Sequence, residues 1–349
     1  MKNQLILLLS STLCFMGCST SMTTLEVLQP SQIVLPDHVK SIATIDRSRP
    51  EKGFAAVMEG LISGESVGQD KEGRAKALLG LTDALSRTPR FQVRPTMVEI
   101  AGSKTGSNMV APLSWPEIES LCKRYSADAI AAIESFDTNN EVQYSSAQSK
   151  QKNKDGTETI RTTFTARRNV RLYVGWRLYD PSMRTVLDET ILSEYVEDNA
   201  SGSTQELAAK NLRDIYLVTR DLAAKVGEKY GMRIAPVWVT VKRNFYNTSK
   251  GTGKEPMERA NRYTKTGSWD QAAEIWKELT RSGDSKTAGR AAHNLAVAAE
   301  RLGALPTALD WAKQAYLKYG NKASQSYIQI LEQRIADQQR LDYQLKTRT

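Results

Sequence analysis

The stretch Ile160-Arg161-Thr162-Thr163-Phe164-Thr165-Ala166-Arg167-Arg168-Asn169-Val170-Arg171-Leu172-Tyr173-Val174-Gly175-Trp176-Arg177-Leu178 decides the fold. Its even positions (Ile160, Thr162, Phe164, Ala166, Val170, Leu172, Val174, Trp176, Leu178) are mostly apolar, and its odd positions (Arg161, Thr163, Thr165, Arg167, Asn169, Arg171, Tyr173, Arg177) are mostly polar. Successive side chains of a strand point to opposite faces, so alternation of this length predicts one long strand with a wet face. Arg168 is the single charge on the apolar side. Asp155-Gly156, just upstream, marks a hairpin, because both central positions of a type I′ turn need φ above zero. Asp180-Pro181 marks a second hairpin, leading to Val186, Leu187 and Ile191.

Further elements follow on both sides. Val39 to Ile45, bounded by Pro36 and Pro50, predicts a strand. After a Gly-punctuated stretch, Ala75, Leu78, Leu79, Leu81 and Leu85 predict a helix, and Phe91-Gln92-Val93 a short strand before Pro95. Ser114-Trp115-Pro116-Glu117 is a helix start with Pro in the first turn and Glu at the capping-box position. Ala129 to Ile133 is a buried strand, Gln205 to Tyr230 one long amphipathic helix, and Val237 to Val241 a strand closing the domain. The order β-α-β-α-β-β-β-α-β implies an α+β domain on a mixed sheet over residues 37–246. In topology it resembles the N-terminal domain of TolB-type proteins and the domains of curli-secretion and peptidoglycan-synthase-activating lipoproteins.

Residues 247–256 form a polar Gly/Lys/Ser linker. Beyond it, Gly267-Ser268-Trp269-Asp270-Gln271-Ala272-Ala273-Glu274-Ile275-Trp276 and Gly303-Ala304-Leu305-Pro306-Thr307-Ala308-Leu309-Asp310-Trp311-Ala312 each resemble the second half of a tetratricopeptide repeat. Their spacing exceeds the usual period of about 34 by about two residues. Small residues let paired helices approach, and aromatic ones fill the groove between pairs. Ala260, Tyr263, Gly267, Trp269, Ala272, Trp276, Leu295, Ala296, Gly303 and Ala308 are therefore the expected packing positions. A helix through Ala323, Leu331 and Ile335 would cap an all-α tetratricopeptide-like array over residues 257–345. The rival reading is an unrelated bundle of helical hairpins.

The N-terminus addresses the compartment. Lys2 precedes an apolar run from Leu5 to Met16 that is too short to span a bilayer and reads as a signal peptide over residues 1–17. Phe15-Met16-Gly17-Cys18 resembles the lipobox of bacterial lipoproteins, with Phe15 where Leu is usual. That resemblance implies acylation of Cys18, palmitate included, and cleavage that makes it the new N-terminus. One acyl chain holds a protein only marginally, and two or three hold it firmly. Ser19 is not the Asp that would retain a lipoprotein in the inner membrane, so the expected location is the periplasmic face of the outer membrane; surface exposure stays open. Residues 18–36 are expected as a tether. The rival reading is a cleaved, soluble secreted protein. Taken whole, the chain resembles lipoproteins of Gram-negative envelopes that join such a domain to C-terminal repeats.

The 349 residues, 40% hydrophobic and 25% charged, fit about two globular domains and exclude a disordered or polytopic membrane chain. Three cysteines exclude a disulfide framework, and two histidines leave little for a metal site. Cys14 leaves with the signal, and Cys122 reads as a small buried hydrophobe. Gly64-Glu65-Ser66-Val67-Gly68 matches the nucleophile-elbow pattern, but no buried strand precedes it, and a Gly-rich loop is the plainer reading. Lys250-Gly251-Thr252-Gly253-Lys254 is too short for a phosphate loop, and Glu255 replaces its Ser or Thr. His293 reads as a helix-packing residue. No catalytic residue, metal or cofactor is expected.

The formal charge of +9 is uneven: residues 144–179 hold eight basic groups against Asp155 and Glu158, a net of +6. With a two-residue loop at Asp155-Gly156, Lys150 would face Arg161 and Tyr144 would face Arg167. Lys150, Lys152, Lys154, Arg161, Arg167, Arg171 and Arg177 would then share one face. Opposed like charges are destabilising, so that face is a candidate for an anionic partner such as phospholipid headgroups, lipid A or an acidic protein; the plainer reading is a solvated face. Nucleic acid is excluded by the expected compartment. The resulting reading is a non-enzymatic, membrane-anchored envelope lipoprotein acting as a protein-interaction or assembly scaffold, its oligomeric state left open. The rivals are an envelope hydrolase using Ser66 and a periplasmic ligand-binding protein.

Overall fold

The computed structural model describes residues 19–49, 67–102 and 108–346. The fold is α+β, a mixed five-stranded sheet followed by a helical region. It divides into two compact units, Leu28–Trp238 with Arg340–Thr349 and Met1–Val27 with Val239–Gln339.

The first unit is built on strands β2 (Ser41–Arg49), β3 (Gln92–Ala101), β4 (Ala129–Lys152), β5 (Glu158–Asp180) and β6 (Thr185–Gly202), in the order β3-β2-β4-β5-β6. β2 runs parallel to both β3 and β4, and β4, β5 and β6 form an antiparallel meander. The predicted alternation is realised in the middle of β5, where Ala166, Val170 and Leu172 are buried and Arg167, Asn169 and Arg171 exposed; Ile160 is exposed, and from Val174 to Asp180 the strand is buried on both faces. Helices α1 (Val67–Ser86) and α4 (Ile215–Ile234) belong to the side of Val170 and Leu172, where Tyr230 stacks on Trp176 with ring centroids 4.6 Å apart. On the opposite side helix α2 (Trp115–Tyr125) supplies Ile118 and Cys122 to a core with Ala43, Ile45, Ile130 and Tyr179. Glu117 closes the start of α2 as expected, accepting from the Ser114 amide at 3.0 Å.

Three expectations are corrected. β3 continues through Pro95 to Ala101, which an edge strand tolerates because one row of its amides needs no partner. The single helix expected over 205–230 is two, α3 (Gln205–Lys210) and α4, because Asp214 caps α4 by accepting from the Tyr216 amide at 2.7 Å. The strand expected to close the sheet, β7 (Val237–Tyr246), pairs instead with β1 (Thr20–Gln29), which occupies much of the expected tether.

The hairpin register also differs. Asn153 and Thr157 are joined by a 2.8 Å amide-to-carbonyl bond, so the loop is Lys154-Asp155-Gly156 with Gly156 at φ 86°. That is a three-residue loop with its glycine in the left-handed position. Ser149 rather than Lys150 therefore faces Arg161, and Gln143 rather than Tyr144 faces Arg167.

The second unit holds most of the β1–β7 pair and helices α5 (Lys254–Lys265), α6 (Trp269–Leu279), α7 (Ser285–Arg301), α8 (Leu305–Lys313) and the greater part of α9 (Ala323–Lys346). The turns before α6 and α8 are copies of each other. Gly267 and Gly303 have φ of 79° and 76°. The Ser268 amide donates to the Tyr263 carbonyl at 2.9 Å, and the Ala304 amide to the Ala299 carbonyl at 3.0 Å. Ala260, Trp269, Ala272, Trp276, Leu295, Ala296 and Ala308 all lie in one buried cluster. Tyr263 does not fill the groove between helices; it is exposed.

Candidate functional site

The second unit carries a groove of about 560 Å³ lined by Ser21, Met22, Thr23, Phe245, Asn261, Thr264, Lys265, Gly267, Trp269 and Arg301. Its floor is aromatic. Phe245 meets Trp269 edge-to-face at 5.3 Å and Trp276 at 6.3 Å, and the two indoles meet at 6.0 Å. The left-handed turn at Gly267 delivers Trp269 to the first position of α6. The Arg301 guanidinium lies 5.0 Å over the Trp269 ring, a cation–π contact.

Three consecutive residues of β1, Ser21, Met22 and Thr23, line this groove together with Phe245 of β7. β1 is bonded to β7 alone among the described strands. Beyond Thr20, the other edge of β1 meets no strand among the described residues, and such an edge is the usual template for an added strand.

The groove is also basic. Lys265 and Arg301 line it without an ion pair among the described residues. Glu300, the residue before Arg301, is fully committed elsewhere: it accepts from Arg243 at 2.8 and 2.9 Å, from the Tyr327 hydroxyl at 2.6 Å and from Arg334 at 2.6 Å. Burial pushes its carboxyl upward, but these bonds and the Arg243 charge outweigh burial and hold it below the ordinary range.

In the sheet unit a second polar cluster surrounds Glu134, which sits at a break in the β4–β5 register and has no exposed surface. Arg47 approaches it at 2.8 Å and Arg177 at 3.2 Å, and the Tyr179 hydroxyl donates to it through a short bond. Burial raises the Glu134 carboxyl against the pull of these partners and pushes the Tyr179 phenol up to about 12. On the other face of β2, Asp46 accepts from Arg74 at 2.9 Å.

Residues 39–246 match the domain of unknown function DUF8603. The chain belongs to the DUF8603 family. Beyond the DUF8603 region, residues 258–333 match a second domain of unknown function, DUF6340. No curated protein is significantly similar to the chain. A PelC dodecamer variant from Paraburkholderia phytofirmans is 13% identical, covering 59% of this chain and 96% of that one, with a TM-score of 0.21. A Helicobacter pylori protein described as a neuraminyllactose-binding hemagglutinin homolog is 11% identical, covering 59% and 94%, with a TM-score of 0.24. TM-scores this low carry no argument about fold or function.

The DUF8603 region contains the basic hairpin, and the structure does not gather its cations on one face. In the observed register Lys150 and Lys152 lie on the opposite face from Arg161, Arg167 and Arg171, and Lys154 lies in the loop. Several are already paired. Arg167 donates to Glu197 at 2.7 Å and Arg177 to Glu189 at 2.6 Å, Lys150 meets Glu158 at 3.3 Å, and Arg171 lies over Tyr195.

His38 bonds to Asp180 at 2.8 Å; His293 is buried between Ser324 and the Asn244 carbonyl. Burial pushes the Cys122 thiol up to about 12. Cys18 and Ser66 lie outside the described residues, where the lipidation and nucleophile readings fall. The groove itself escaped the sequence reading because Phe245, Trp269 and Arg301 form no local pattern. The signal available was β1, whose buried Leu25 and Val27 flank exposed Glu26.

Proposed function

We propose that the protein is a lipid-anchored lipoprotein of the bacterial cell envelope, attached through Cys18, with the outer membrane's periplasmic face as its site. There it works as a non-enzymatic assembly scaffold. The helices of its second unit, which we take to be tetratricopeptide-like, present a contact site for a protein partner. The observation that supports this reading best is the groove: an aromatic floor, two cations with no carboxylate partner among the described residues, and a strand edge that no described strand pairs. These are features of a surface that recognises extended chain.

In-cell crosslinking of the wild type and of Cys18→Ala tests it, together with metabolic labelling by palmitate. The expected result is an acylated wild type in the membrane fraction, crosslinked to defined protein partners, and an acyl-free variant released from the membrane. The reading fails when both forms are equally soluble and acyl-free, or when no protein is crosslinked to either. Ser66→Ala with a general esterase assay separates the hydrolase alternative, which requires activity that this substitution abolishes.

A further inference from the structure

The groove on the second unit specifies the chemistry of its occupant more narrowly than a scaffold role requires. β1, whose Ser21, Met22 and Thr23 line the groove, has one edge that no described strand pairs, and an extended chain is what can satisfy a row of alternating amides and carbonyls. Lys265 at the end of α5 and Arg301 at the end of α7 supply positive charge, and the Glu300 carboxylate is held by three other side chains. Asn261 and Thr264 add neutral hydrogen-bonding groups on the same helix as Lys265. Trp269, buried against Phe245 and Trp276, offers an aromatic surface that Arg301 covers from one side.

We propose that this groove binds an extended acidic peptide segment, which adds as a strand to the open edge of β1. Its carboxylates meet Lys265 and Arg301, and a large apolar side chain sits against Trp269 and Phe245. The proposal rests on the scaffold reading and names the class of partner. Charge complementarity selects an acidic segment, and the edge of β1 that no described strand pairs selects an extended backbone over a helix. β1 spans ten residues, so a segment of about eight residues is long enough to pair along it.

The test uses the full chain and fluorescence anisotropy with three labelled synthetic peptides of about eight residues. One alternates Glu with Leu, one alternates Lys with Leu, and the third repeats the Glu/Leu sequence with alternate backbone amides methylated. The expected result is saturable binding of the Glu/Leu peptide, at least about tenfold weaker binding of the other two, and a similar loss for the Glu/Leu peptide with Lys265→Glu/Arg301→Glu. Both substituted side chains are at the surface, and a thermal melt checks that the fold is retained. Equal binding of the Lys/Leu peptide, or Glu/Leu binding unchanged by the double substitution, overturns the proposal. Unchanged affinity for the methylated peptide overturns strand addition. Displacement of the Glu/Leu peptide by millimolar inorganic phosphate alone also overturns it, because the groove would then be a simple anion site. Crosslinking with Lys265→Glu/Arg301→Glu keeps the two readings apart. Partners still captured by this variant leave the scaffold standing and remove the groove from it, whereas peptide binding without any cellular partner removes the scaffold.

Discussion

Arg168 of β5 donates to Asp198 of β6 through Nε at 3.2 Å and Nη2 at 2.8 Å, and the two residues are directly opposed in the sheet. Their side chains are 7% and 11% exposed, so a charge on the apolar side of β5 is neutralised almost out of solvent. β6 repeats the device along its length. Asp188 holds Arg233, Glu189 holds Arg177, Glu194 holds Lys229, and Glu197 holds Arg167. Five carboxylates and no cation occupy Thr185–Gly202, and each carboxylate meets a cation of β5 or α4. Much of the positive charge of β5 is therefore offset within the sheet, by the strand beside it.

Asp198→Asn removes one half of the most buried of these pairs and leaves the Arg168 guanidinium with the Arg213 carbonyl as its remaining acceptor among the described residues. Stranding a buried charge costs about 3 kcal/mol or more. Glu197→Gln breaks the exposed pair with Arg167, whose side chain is 59% accessible, and is expected to cost under about 0.5 kcal/mol. Urea titrations of the two variants, followed by circular dichroism, measure the difference. Equal midpoints for both would show that Asp198 does not compensate Arg168.

The carboxyl of Glu300 predicts how the second unit responds to acid. Its folded-state value lies below the ordinary one, so on acidification the unfolded chain takes up a proton that the folded chain refuses. The stability it contributes is present above the ordinary carboxylate range and is lost as pH falls through that range towards the lowered value. Glu300→Gln removes this contribution. The variant is expected to be less stable at neutral pH and to lose less of its remaining stability than the wild type between about pH 6 and about pH 3. Parallel pH profiles of the urea midpoint for the two proteins would contradict this.

What could be read from the amino-acid order follows from the range of the forces involved. The β5 strand was legible because one covered face imposes a two-residue period through its middle. The paired turns at Gly267 and Gly303 were legible because a left-handed position and a small packing residue recur at the same offsets. β1 was not, because only Leu25 and Val27 carry its buried face and the neighbouring Thr and Ser residues suit a tether equally well. Asp155-Gly156 announced a hairpin without fixing its loop length, and one residue of difference moves every side chain of one strand to the other face. The carboxylate partners of β5, the node at Glu134 and the groove depend on which strand and helix become neighbours, which no local pattern records.

Cys122 is expected to behave as core. Its thiol is buried and pushed up to about 12, chiefly by burial, so almost none of it is thiolate near neutral pH. Mixing the native protein with a chromogenic disulfide at about pH 8 should leave Cys122 unmodified over the time in which a free cysteine reacts, and urea should make it react at once. Peptide mapping distinguishes it from Cys18. Rapid labelling in the folded state would mean that α2 opens from the sheet.

The hairpin register has a covalent test. Ser149 and Arg161 are directly opposed across β4 and β5, whereas Lys150 is the next residue along and points to the other face. A disulfide needs Cα atoms within about 7 Å and Cβ atoms directed at each other, so the two registers predict different crosslinks. Ser149→Cys/Arg161→Cys is expected to oxidise to an intramolecular disulfide, and Lys150→Cys/Arg161→Cys to remain reduced under the same conditions. Mass spectrometry of non-reduced peptides reads the outcome. The opposite result would restore the two-residue loop, return Lys150 and Lys152 to the face of Arg161, Arg167 and Arg171, and revive a continuous basic ribbon as a site for an anionic partner.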